Sequence, residues 1–218
     1  MRQWTIPQLR RILFKWNSSN YRPFYWRLRK VSGFHWLLLE MLLRKTRAQQ
    51  VETVFIKIQK LIPRPSKLSS FQKRKLKRLI KPLGLSNLRT NAIADASEEI
   101  ASKHGGHIPS TLDDLLKIPH VGRYAASAIL CFYYGKRAPI LDANIARLYC
   151  RLFNINYPVE IHKAKHLWQL ASEILPSKNI KLFNYCLLDF GALICTARNP
   201  RCDICPLNAK CSYFMAQD

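Results

Sequence analysis

Apolar residues recur along this chain at the spacing of helix faces, and the alternation that would mark strands is weak. Proline, glycine and asparagine punctuate the pattern and set its breaks. The predicted helices are 6–16, 33–45, 48–62, 69–80, 85–104, 111–116, 122–134, 142–153, 162–175 and 180–195. The chain after Cys195 is irregular and rich in proline and cysteine. The expected class is all-α. No apolar stretch reaches the roughly 18–20 residues of a membrane span.

One helix breaks the amphipathic rule. Trp36-Leu-Leu-Leu-Glu40-Met-Leu-Leu43 is apolar except for a single carboxylate, so several of its faces are expected to be buried. Burying a carboxylate is costly and raises its pKa, which suits a proton donor. The plainer alternative is a glutamate paired with a core arginine or a helix end.

Composition adds a partner. The chain has 218 residues, 48% of them hydrophobic, enough for one domain or two small lobes. It carries 36 Lys+Arg against 13 Asp+Glu, a net charge of +23. Such an excess opposes compaction unless an anion is bound, and nucleic acid is the expected one. Residues 1–39 hold eight Lys/Arg and no acid, and residues 53–94 hold eleven and no acid. Acid-free tracts of this length fit phosphates; a generally solubilising surface is the alternative. No apolar leader follows the first basic residues, so a soluble intracellular protein is expected, with no membrane partner.

Four of the seven cysteines lie in the tail as Cys195-TARNPR-Cys202-DI-Cys205-PLNAK-Cys211. Thiolates this close on irregular backbone can converge on one metal centre, and spacing alone suits zinc as well as iron–sulfur. Arg198, Arg201 and Lys210 in the same loop are available to phosphate. Cys131, Cys150 and Cys186 sit in apolar context and are expected in the core.

Two further segments carry chemistry. Leu116-Lys-Ile-Pro-His120-Val121-Gly122-Arg123-Tyr124 runs from a short helix through a tight turn into a second helix opened by Gly122. The free N–H groups of that helix start can hold a phosphate without reading sequence. Asp142 begins the next helix, where an N-cap is the ordinary role. Capping orients the carboxylate, so a cap can also be a catalyst.

These motifs together resemble the helix-hairpin-helix DNA glycosylases of the endonuclease III and MutY superfamily. The turn of that family is Pro-Gly-Val-Gly; here His120 stands at its first glycine, where a positive φ and some strain are expected. The resemblance implies a [4Fe-4S] cluster on Cys195, Cys202, Cys205 and Cys211. It implies DNA contacts by His120, Val121, Gly122 and Arg123. Asp142, twenty residues after Gly122, stands where the family places its catalytic aspartate. Tyr124 takes the place of the lysine of lyase-competent members, which implies base removal without strand cleavage. Archaeal thymine-mismatch glycosylases carry Glu-x-Leu-Leu-Arg-Lys-Thr, and this chain reads Glu40-Met-Leu-Leu-Arg-Lys-Thr46. Adenine-mismatch enzymes instead have Glu-x-x-Leu-Gln-Gln-Thr, a serine in place of Tyr124, and a further C-terminal domain; this chain ends seven residues after Cys211.

The resemblance implies two helical lobes with a DNA cleft between them. The expected division is a helical barrel with the hairpin over 33–144, and a cluster lobe joining 1–32 to 145–218. The expected catalytic set is Asp142, Glu40 and Tyr124, with Arg44, Lys45 and Gln49 filling the gap or touching the opposite guanine. The expected substrate is double-stranded DNA holding a mismatch or damaged base, bound by a monomer, in the cytoplasm if the source is prokaryotic. An adenine glycosylase and a non-catalytic mismatch binder are the alternatives.

Overall fold

The computed structural model describes residues 4–216, and these contain helices and connecting turns with no strand. The ends of the expected cluster lobe, residues 1–3 and 217–218, lie outside the described residues. The helices are α1 (Ile6–Ser18), α2 (Tyr25–Leu28), α3 (Gly33–Leu43), α4 (Ala48–Leu61), α5 (Ser70–Ile80), α6 (Ser86–Lys103), α7 (Leu112–Lys117), α8 (Arg123–Ala128), α9 (Ala143–Phe153), α10 (Lys165–Ile174), α11 (Ile180–Leu193) and α12 (Ser212–Met215). Their starts are written in local chemistry. Thr5 and Gln8 form a capping box at α1, and Ser69 and Gln72 form another at α5. No helix among the described residues is long and apolar enough to cross a membrane.

The chain divides into two compact units. One is the continuous segment Pro23–Tyr134; the other joins the chain up to Arg22 to the chain from Gly135 onward. The expected boundaries at 33 and 144 therefore shift, and packing gives the reason. Phe24, Trp26 and Val31 are buried, with Trp26 edge-on to Phe55 at 5.8 Å, so residues 23–32 belong to the central unit. Asn184 of α11 donates to the Ala138 carbonyl at 3.0 Å, which draws the segment carrying Asp142 into the discontinuous unit.

In the central unit α3 is the core helix. Every residue from Gly33 to Leu42 is buried, as its all-round apolar pattern requires. It packs on α4, α6 and α8, while α5 packs on α4 and α6 and α7 packs on α8. The helix expected over 122–134 is α8 followed by one π-helical turn, Ile129–Tyr133. In the discontinuous unit α1 packs on α10 and α11, and α9 packs on α11 and α12. Cys131, Cys150 and Cys186 are buried, as the apolar context of each predicts.

Candidate functional site

The carboxylate of Asp142 is fixed from two sides. Its Oδ1 accepts the Ile145 N–H at 2.8 Å, making it the N-cap of α9, and its Oδ2 accepts Asn144 Nδ2 at 2.9 Å. The residue is half-buried. Burial pushes its pKa above the usual carboxylate range; the bonds from Ile145 and Asn144 and the charge of Arg147 pull the other way.

Asn144 is held in turn. Arg147 Nη2 donates to Asn144 Oδ1 at 3.0 Å, to the Gly191 carbonyl at 2.9 Å and to the Cys195 carbonyl at 2.7 Å; its Nε also reaches the Cys195 carbonyl, at 2.9 Å. Gly191 has no room for a side chain: a Cβ there would meet the Asn144 Cβ at 2.9 Å. One polar chain thus runs from the first tail cysteine to Asp142. Sequence reasoning missed Asn144 and Arg147, although their spacing of three on α9 puts both on one helix face.

The four tail cysteines line one cavity, closed by Leu148, Phe190, Ile194 and Leu207. Burial raises the Cys202 thiol, and pushes Cys205 up to about 11; the charges of the other tail cysteines act in the same direction at both. Four thiols lining one apolar cavity are a ligand set that zinc or an iron–sulfur cluster can use. Arg151 secures the loop, donating to the Thr196 carbonyl at 2.6 Å and the Ala197 carbonyl at 3.0 Å, with its Nη1 3.5 Å from Cys195 Sγ. Arg198 and Arg201 are exposed, while Lys210 lies over the Trp4 ring at 4.8 Å.

In the central unit the hairpin forms as expected. The Val121 N–H donates to the Ile118 carbonyl at 3.1 Å, and Gly122 opens α8 with no side-chain cap. Nothing lies within 4 Å of a Cβ built on Gly122, so the fold leaves the helix start open to a close approach from outside. His120 has φ +65°, the left-handed turn anticipated from its place in the motif, and its Nε2 lies 3.0 Å from Asp95 Oδ2. Val121 is buried, Arg123 and Tyr124 are half-buried. Glu40 is 3% exposed on α3.

Arg44 and Lys45 do not extend α3, as the expected helix to 45 would have it. α3 ends at Leu43 and both residues lie on the turn into α4, Lys45 with φ +54°. Both are exposed, as is Gln49 in the first turn of α4. Leu85 and Leu88, at 58% and 68% exposure, are further apolar points on this basic unit that sequence reasoning passed over. Glu40, Tyr124, the hairpin and the Arg44–Gln49 segment belong to the central unit, whereas Asp142 and the cysteines belong to the discontinuous one.

Known proteins share these features. Residues 38–185 match the HhH-GPD superfamily base excision DNA repair protein, and residues 195–211 match the iron-sulfur binding domain of endonuclease III. A thymine/uracil-DNA glycosylase of Methanothermobacter thermautotrophicus is 32% identical over 203 residues, 93% of this chain and 91% of that protein. A thymine-DNA glycosylase of Aeropyrum pernix is 34% identical over 213 residues, 96% of this chain and 95% of that one. The solved structure of a thermostable thymine-DNA glycosylase superposes with a TM-score of 0.87 at 29% identity, covering 97% of each chain.

Proposed function

We propose, given that this chain belongs to the HhH-GPD superfamily of base excision DNA repair proteins, that it removes thymine or uracil mispaired with guanine from duplex DNA, hydrolysing the N-glycosidic bond and leaving the strand intact. The observation that carries the reading is the two-point fixing of Asp142 by Ile145 and Asn144. Breaking the C1′–N1 bond sends its electron pair to the base and leaves positive charge on the deoxyribose. A carboxylate already held in place stabilises that charge without reorganising. The same carboxylate steers water onto C1′ and takes its proton.

The other residues serve that step. Gly122 and the open start of α8 hold a phosphate, with Val121, His120 and Arg123 shaping the hairpin around it. Flipping is cheapest at a mispair, because less pairing is lost. Tyr124 packs on the flipped base, and Glu40 polarises it. Arg44 and Lys45, exposed on the turn, and Gln49, exposed at the start of α4, touch the guanine left behind. Cys195, Cys202, Cys205 and Cys211 hold a [4Fe-4S] cluster, which when bound cross-links the tail loop into one surface.

Base release from T·G, U·G and A·G duplexes tests the reading. Release from T·G and U·G with an alkali-labile but uncut strand is expected; activity on A·G alone would overturn it in favour of an adenine glycosylase. Asp142→Asn is expected to bind the same duplexes and release nothing. Parent and variant equally inert on every duplex would leave a mismatch binder.

A further inference from the structure

Arg89 is the least ordinary buried group of the central unit. It sits near the start of α6, 8% exposed, and its guanidinium is aimed at the end of another helix. Nη1 donates to the Leu42 carbonyl at 2.5 Å and, more weakly, to the Met41 carbonyl at 3.4 Å. Nη2 donates to the Arg44 carbonyl at 2.8 Å and to Thr46 Oγ1 at 2.6 Å. Among the described residues no carboxylate forms an ion pair with it. Burial and the neighbouring Arg44 charge both act against its charged form.

A buried cation with no anion is expensive, so its contacts must account for its presence. Those contacts are the carbonyls that every helix leaves unpaired in its last turn, here at the end of α3. Cationic donors at a helix C-terminus also meet the negative end of its dipole. The turn they secure needs securing: Lys45 is left-handed there at φ +54°, a conformation a non-glycine side chain disfavours. Arg89 therefore sets the shape of the exposed segment that carries Arg44, Lys45 and Gln49.

We infer that Arg89 is a positioning residue for this turn, and that through it Arg89 governs the enzyme's preference for the base opposite the lesion. The inference rests on the guanine-reading role proposed above for Arg44, Lys45 and Gln49. A planar fork spans three carbonyls and a hydroxyl together; a lysine ammonium, a point charge, does not.

The test is single-turnover release of uracil from U·G and U·A duplexes, with thermal melting of each variant. The parent is expected to favour U·G. In Arg89→Met the U·G over U·A ratio is expected to fall about tenfold, the scale of a lost hydrogen bond from a charged donor, and Arg89→Lys is expected not to restore it. Thr46→Val removes one of the four contacts without stranding a charge, so it carries the test if the Arg89 variants fail to fold. Its ratio is expected to fall about two- to threefold, for one hydrogen bond of roughly 0.5 kcal/mol. An unchanged ratio in Arg89→Met and Thr46→Val overturns the inference. Equal loss on both duplexes also overturns it, because a merely structural residue behaves that way. If Arg44, Lys45 and Gln49 can all be made alanine with the parental ratio intact, the guanine-reading role itself fails and takes this inference with it.

Discussion

Asn144→Ala isolates what holds the carboxylate proposed above as catalytic. The change removes the 2.9 Å bond to Asp142 Oδ2 and leaves the 2.8 Å bond from the Ile145 N–H to Oδ1. A hydrogen bond to a charged group contributes about 1.5 kcal/mol at the low end of its range, a fair value for a half-buried site. If that support is fully expressed in the transition state, the rate falls about tenfold. The change also acts through pH. Asp142 must be ionised, and burial holds its folded pKa above the solvent value. Activity is then present above that raised pKa and lost as pH falls through it. The Asn144 bonds favour the charged form, so removing the side chain moves the acid limb to still higher pH. The assay is single-turnover thymine release from a T·G duplex across pH, with duplex binding measured separately. An unchanged plateau and acid limb would refute the reasoning. So would a loss that binding alone accounts for.

Three other changes read separate parts of the molecule. Tyr124→Lys places an amine where lyase-competent relatives carry one, so borohydride should trap it on substrate DNA and strands should break without alkali; no trapping and no breaks would deny Tyr124 its place beside the sugar. His120→Gly and His120→Ala both delete the imidazole contact to Asp95, but only alanine keeps a Cβ at φ +65°. The glycine variant should be more stable in denaturant melts by about 1 kcal/mol, and equal stability would count against strain at the turn. Lys73 and Lys77 are exposed on α5 one turn apart, inside the acid-free tract. If both meet phosphates, changing them to glutamine lowers the salt dependence of duplex binding by about 1.8 in log–log slope, near 0.9 per contact; an unaltered slope places them off the DNA.

What the sequence disclosed was local. Asp142 is readable as a helix start because the N–H it caps lies three residues on, and the hairpin because Pro119 and Gly122 bracket a turn whose geometry they dictate. The strain at His120 was legible for the same reason: one residue type sits where the motif uses another. The burial of Glu40 followed from seven apolar neighbours. Arg89 could not be read this way. Its partners lie 43 to 48 residues earlier, at the end of another helix and on the turn that follows it, and nothing in Leu88-Arg89-Thr90 announces a buried guanidinium. The helix expected to reach Lys45 stops two residues short, at Leu43, where Arg89 takes up the last-turn carbonyls. The link from Asn144 through Arg147 to Cys195 was half visible, since α9 places the first two on one face; its far end, 48 residues on, was not. The division into units was misjudged by about ten residues at each boundary, because aromatic packing and one side-chain bond, not a break in pattern, decide where each connection belongs.

The split unit also orders events during synthesis. Pro23–Tyr134 is uninterrupted and can condense as soon as it leaves the ribosome. α1 is made first yet must wait, because its main partner is α11 and its Arg10 donates to the Glu173, Ile174 and Leu175 carbonyls, more than 160 residues later. The tail cysteines emerge later still. The cysteines are thus among the last parts of that unit to be made, and Cys195 is the one tied through Arg147 and Asn144 to Asp142. A half-made chain can already be compact in its central unit while Asn144, the partner of Asp142, still lacks the Arg147–Cys195 tie that holds it.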